Sequence, residues 1–226
     1  MNFYKNNKGT IITVIVLILI ALGGRYFQKK VTPIIVEVPS ATTTLAVTPQ
    51  THSDGVITFI VPKDFELALN SEQIIASSYI PPCSDIFNYC LYYTGSEYVG
   101  TNFEATGIRI QNRIDLKTVI TCLNTSPTGY TGLRSTIMAS TTNYTISLFQ
   151  GIGDAAMGHY TNGELFRLAY DGTCYEFETR VGASQFANSV EGSIKEFTAA
   201  DSKSVIQKLR DIITTITLKG GEKILF

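Results

Sequence analysis

The stretch Gly151-Ile-Gly-Asp-Ala-Ala-Met-Gly-His159-Tyr160 gathers three glycines, an acid and one of the chain's two histidines. A carboxylate beside an imidazole is a simple general-base pair. The acid orients or polarises the ring, and the ring moves a proton near neutral pH. Asp154, His159 and Tyr160 are therefore the nominated binding residues. Any hydrolase or inhibitor chemistry would sit on the Asp154–His159 loop. The same run also reads as a Gly-rich connection between strands, with His159 and Tyr160 opening the next one. Its Gly-x-Gly is no dinucleotide fingerprint, because strands rather than a helix flank it.

Four cysteines, Cys83, Cys90, Cys122 and Cys174, are the other reactive groups. A Cys–His nucleophile would need Cys90, Cys122 or Cys174 reduced beside His159. Zinc sites use tight Cys-x2–4-Cys pairs, which the Cys83 to Cys90 gap does not match, so no metal and no cofactor is expected. An even count behind an export signal argues for disulfides, and four cysteines allow three pairings. Four reduced, buried cysteines would instead imply a cytoplasmic domain. The expected pairs are Cys83–Cys90, a small ring after Pro81-Pro82, and Cys122–Cys174, a staple from a helix to a hairpin. By strict alternation Cys174 shares a strand face with Glu176 and Glu178. The staple therefore requires the helix carrying Cys122 to cover the end of that face nearest the Asp171-Gly172 turn, or a bulge to flip Cys174.

Other constellations are weak. No Gly-x-Ser-x-Gly elbow supports a serine nucleophile. The carboxylates are scattered, and Glu176 and Glu178 read as facing solvent, so no glycosidase pair can be nominated. Tyr89, Tyr92, Tyr93 and Tyr98 form an aromatic cluster that suits a carbohydrate or peptide surface, although sheet packing explains most of it. The chain is therefore read as a binding or interaction domain rather than an enzyme. Its ligand is an unknown protein, peptide or glycan.

These residues must be delivered and positioned. Ile11 to Leu22 is apolar apart from Thr13, with Lys5 and Lys8 before it and Arg25, Lys29 and Lys30 after it. Residues 1–30 read as a membrane anchor with a transmembrane helix over about 9–27, somewhat short for the ~20 apolar residues a span needs. A cleavable signal peptide, with Ala21-Leu22-Gly23 as its cleavage site, would secrete the domain instead. Residues 31–54 read as a disordered Thr/Pro-rich stalk. The expected location is the cell membrane, single-pass, with the domain extracytoplasmic. Of the 18 basic residues five precede residue 31, so Val31 onward holds 13 basic and 19 acidic residues, a net of −6. An acidic domain lacks the electrostatic footprint of a nucleic-acid binder.

Residues 55–219 form the domain and 220–226 a tail dispensable to it. Val56–Val61 predicts a first strand stopped by Pro62. Gly107–Arg113, Gly132–Ala139 and Tyr144–Phe149 predict further strands. Gly163–Tyr170 and Thr173–Val181 flank Asp171-Gly172 as a hairpin. Asp115 caps a short helix to Asn124, and Asp201 or Ser202 caps an amphipathic helix to Thr214. A short strand, Thr215–Leu218, closes the domain. This element order predicts an α+β fold, an antiparallel sheet with packed helices behind the transmembrane helix and stalk.

The run Ile57-Thr58-Phe59-Ile60-Val61-Pro62 and the late segment Leu209-Arg210-Asp211-Ile212-Ile213-Thr214-Thr215-Ile216 resemble the two ends of PsbP-like α/β/α sandwiches. The cysteine-bearing middle departs from that pattern. The whole plan of anchor, stalk and domain resembles membrane-anchored secreted proteins of bacteria. The resemblance implies a fold and no activity.

Overall fold

The computed structural model describes residues 48–69 and 87–226. Among these residues ten strands form two antiparallel sheets. The smaller sheet orders β1 (Gln50–Ser53), β2 (Ile57–Val61) and β10 (Thr217–Leu218) as β1-β2-β10. The larger holds β3 (Phe65–Leu69), β4 (Tyr89–Tyr93), β5 (Phe103–Asn112), β6 (Thr136–Ser140), β7 (Tyr144–Ala156), β8 (His159–Tyr170) and β9 (Thr173–Ser184). Its order is β3-β4-β5-β9-β8-β7-β6, so the long strands β5, β9 and β8 lie at the centre. Among the described residues two α-helices accompany them, α1 (Val119–Asn124) and α2 (Ala199–Ile213).

The expected α+β fold is corrected. Strand takes 47% of the described residues and helix 15%, so the protein is sheet-dominated. The reason lies in what covers the core. Ile108, Ile110, Phe166, Leu168 and Phe177 line one face of the larger sheet. They are buried by β2, through Ile57, Phe59 and Val61, and by a single helix, α2, through Val205, Leu209, Ile212 and Ile213. A second sheet does much of the work that packed helices were expected to do. No helix among the described residues is long and apolar enough to cross a membrane. The anchor expected at about 9–27 and most of the 31–54 stalk lie outside the described residues.

The described end of that stalk is a strand. Gln50–Ser53 pairs antiparallel with β2, Thr51 opposite Ile60 and His52 opposite Phe59. His52 lies between Phe59 and Tyr89, tilted against both rings at centroid distances of 5.2 and 4.9 Å. These ring contacts compensate the Thr-rich composition that argued for disorder. The expected dispensable tail is likewise built in. Ile224 is fully buried, its amide donates to the Ile216 carbonyl at 3.1 Å, and Phe226 packs on Phe166.

Local signals explain the helices, with shifted caps. The hydroxyl of Thr198 accepts from the Asp201 amide, and the Asp201 carboxylate accepts from the Thr198 amide at 2.8 Å. Asp201 is thus the third helical residue of a capping box and not the cap itself. Thr118 caps α1 in the same way with Thr121. Asp115, the expected cap, is instead held by Arg113.

The second face of the larger sheet is covered thinly. Three small apolar clusters lie on it: Leu116, Cys122, Leu123, Ala169 and Cys174 under α1; Phe149, Ile152 and Leu165 under the 126–134 segment; and Ala68, Phe87 and Cys90. Between them the floor is charged.

Candidate functional site

Strand register builds this floor. On β9, Cys174, Glu176, Glu178 and Arg180 alternate with the core-facing Tyr175, Phe177 and Val181. Glu178 stands opposite Arg109 on one side and Leu165 on the other. Glu176 stands opposite Gln111 and Arg167. Arg180 has glycine at both cross-strand positions, Gly107 and Gly163. An added methyl on Gly163 would lie 2.0 Å from the Thr179 carbonyl oxygen and 3.0 Å from Arg180 Cδ. The glycine therefore lets the Arg180 side chain lie close along the sheet.

Glu176 and Glu178 are buried, which corrects the expectation that they face solvent. Glu176 accepts from Arg167 Nε at 2.9 Å and from Arg113 Nη1 at 2.8 Å. Arg113 completes its fork on Asp115, at 2.9 and 2.8 Å. Glu178 accepts from Arg109 and, at 2.7 Å, from Arg180 Nε. Arg180 also donates to Thr161 Oγ1 and to the Tyr130 hydroxyl, at 3.2 and 3.1 Å. The Tyr130 hydroxyl accepts from the Gly153 amide and donates to the Gly153 carbonyl, pinning its loop to β7.

Electrostatics follow from these pairs. The hydrogen bonds to Arg113 hold the Asp115 carboxyl below its usual range, and those to Asp115 raise the Arg113 guanidinium. Burial pulls the fully enclosed Arg167 down, against the pull of Glu176. Burial also opposes the charge on Arg180, but Glu178 and Tyr130 outweigh it and the net direction is up. A buried ionised group is tolerated when paired and hydrogen-bonded.

Above this network lies a cleft of about 410 Å³, within the range of small-molecule sites. The buried Ile152 and Leu165 lie at its base, and Tyr130 with Thr128 and Gly129 forms one wall. Asp154 and Gln111 also line it.

The nominated residues divide. The run from Gly151 is not a loop: β7 continues to Ala156 and turns through Met157-Gly158 into β8. Asp154 lies opposite Thr161, its carboxylate largely exposed and 4.0 Å from Arg180. His159 lies on the same face, but its Nδ1 is hydrogen-bonded to Glu104. Glu104 takes the orienting place that Asp154 was expected to fill. Tyr160 faces the other side of the sheet and lines a groove beside Ile206 of α2. Only Asp154 belongs to the cleft. Among the tyrosines, Tyr93 and Tyr98 pack together with Phe103 on the core side, while Tyr92 donates to Glu66, which pushes its pKa up to about 12.

Cys122 and Cys174 form a disulfide with Cα atoms 5.6 Å apart. The helix α1 covers the Cys174 end of the glutamate face, so no bulge is needed. Cys90 is disulfide-bonded as well, and Cys83 lies outside the described residues. No cysteine among the described residues is free to act as a thiolate. No group of three or more His, Cys, Asp or Glu among the described residues is placed to hold a metal.

Sequence reasoning missed Arg109, Arg113, Arg167, Arg180, Glu176 and Glu178 as a set. The available signal was Glu176, Glu178 and Arg180 at alternate positions on β9, with Arg167 on the strand that pairs with it through the Asp171-Gly172 hairpin.

No protein-family model matches the chain, and no curated protein does. Among solved structures, the crystal structure of LpqN, described as involved in cell envelope biogenesis of Mycobacterium tuberculosis, is similar at 16% identity and a TM-score of 0.33. The likeness covers 74% of this chain and 86% of that one. At that TM-score it carries no argument about fold or function. The PsbP-like resemblance finds no confirmation in these comparisons.

Proposed function

We propose that the protein is an extracytoplasmic, non-catalytic binding domain whose ligand site is the cleft above the arginine–glutamate floor. The observation that carries this reading is the floor itself. Arg109, Arg113 and Arg180 are held by Glu176 and Glu178, with Asp115 and Tyr130 bracing the rim. Side chains locked this way present fixed donors and acceptors, so a ligand need not order them on binding. The oxidised cysteines support an oxidising compartment. The basic-flanked apolar run at 11–22 supports export.

Amide hydrogen exchange tests the site. The full chain is mixed with solubilised cell-envelope polymers of its source. Slowed exchange is expected in 107–113, 127–131 and 174–181. Protection confined to other segments, or none, overturns the cleft as the ligand site.

A further inference from the structure

The ligand class follows from how the charges of the cleft are matched, and rests on the reading of the cleft as the ligand site. Among the described residues, three guanidiniums (Arg109, Arg113 and Arg180) and three carboxylates (Asp154, Glu176 and Glu178) line the cleft, and Arg167 and Asp115 pair with them from outside the lining. Arg113 and Arg167 face Glu176 and Asp115. Arg109 and Arg180 face Glu178 and Asp154. A charged ligand would give up its hydration against a set already compensated, and would compete with existing pairs. A neutral ligand meets no such penalty.

The groups at the cleft wall are planar and polar. The Gln111 amide both donates and accepts, the Asp154 carboxylate accepts, and the Thr128 hydroxyl does either. Between them Tyr130 offers an aromatic body, over the buried Ile152 and Leu165. A ligand matching this pattern carries several hydroxyls, each donor and acceptor, around a compact C–H framework. An extended peptide fits less well. The cleft lies over the central strands β5, β9 and β8, whereas strand addition needs the edges at β3 or β6. We infer that the cleft binds a neutral saccharide, one or two pyranose rings in size.

Saturation-transfer NMR on the full chain in lipid nanodiscs tests this with three probes of one ring size. They are methyl β-glucoside (neutral), glucuronate (anionic) and glucosamine (cationic). Transfer to the glucoside is expected, with a roughly millimolar Kd, as befits a single small ring. Both charged sugars should bind more weakly. Gln111→Ala and Asp154→Ala should each weaken the glucoside by about tenfold, the loss of one well-placed hydrogen bond. Lys203→Ala, on the exposed side of α2, should leave it unchanged. Tighter binding of a charged sugar, with the same dependence on Gln111 and Asp154, overturns the neutral class and leaves the cleft as the site. Glucoside transfer indifferent to both variants, or no transfer to it, overturns the saccharide inference. The exchange footprint with envelope polymers then decides the site separately.

Discussion

Arg167 donates its Nε–H to Glu176 at 2.9 Å, a fully enclosed guanidinium against a buried carboxylate at the centre of a sheet face. The same guanidinium reaches the carbonyls of Cys122 and Thr125, where α1 ends, and lies 5.0 Å over the Phe149 ring. It therefore ties the charged floor to the short helix above it. Removing one partner of a buried pair leaves the other uncompensated, at a cost of about 3–5 kcal/mol. Glu176 keeps Arg113, so Arg167→Met should fall at the low end, about 3 kcal/mol. Chemical denaturation of the variant checks this, and a loss below about 1 kcal/mol would remove Arg167 as a structural tie.

Acid should weaken the protein through two identified carboxyls. Asp115 is held below its usual 3.8 by Arg113, and Asp201 by the Thr198 hydroxyl and amide. A depressed folded-state pKa means stability that is fully present above the unfolded value and is lost as pH falls through the folded one. Both contributions are thus intact at pH 5 and above, and fade below the ordinary carboxylate range. Side-chain NMR titration should place both midpoints under 3.8. Arg113→Gln should return Asp115, and not Asp201, to that value.

Some of this was legible in the chain. The Asp171-Gly172 turn predicted the β8–β9 hairpin, and the turn pairs Tyr170 with Thr173 as such a dipeptide demands. The Cys122–Cys174 staple followed from that hairpin and a short apolar helix. The charged floor was not legible. Glu176 and Glu178 follow the same period-2 pattern whether the face meets water or arginines. Two of their complements, Arg109 and Arg113, lie more than sixty residues away, while Arg167 and Arg180, nearer in the chain, read equally well as solvated charges until the covering segments are placed. The Asp154–His159 reading failed for a related reason. Adjacency in sequence does not imply a shared site: His159 opens β8, as the strand-connection reading expects, and finds its carboxylate on another strand, at Glu104.

Gly163 should be indispensable. An alanine methyl there would press on the Thr179 carbonyl oxygen, a backbone atom that cannot swing aside. Relief would require β8 and β9 to part, with the Arg180 side chain displaced as well. Overpacking of this sort costs about 1–3 kcal/mol. Gly163→Ala should therefore lower the denaturation midpoint by that equivalent, and Thr161 and Arg180 should show the largest shifts in NMR spectra. Gly172→Ala, at a hairpin turn with open space around it, should cost about 1 kcal/mol through its positive φ alone and leave those residues undisturbed.

The disulfide should control the cleft wall as well as stability. Cys122 and Cys174 are separated by 52 positions, and closing a loop of that size stabilises by about 4 kcal/mol in the chain-entropy view. The bridge fixes α1 two residues before Asn124, and the chain then runs directly into the 125–131 segment that carries Tyr130. The bonds that hold that segment among the described residues include Ser126 to the Leu133 carbonyl, Arg167 to the Thr125 carbonyl, the Thr125 amide to the Thr121 carbonyl, the Tyr130 amide to the Pro127 carbonyl, and Tyr130 to Gly153 and Arg180. In the double variant Cys122→Ser/Cys174→Ser, amide exchange should therefore quicken across 119–131 before the rest of the sheet responds. Ligand protection of 127–131 should weaken with it. Uniform acceleration across β5, β8 and β9, with no lead at 119–131, would mean that the bridge stabilises the domain globally and does not hold the wall of the cleft.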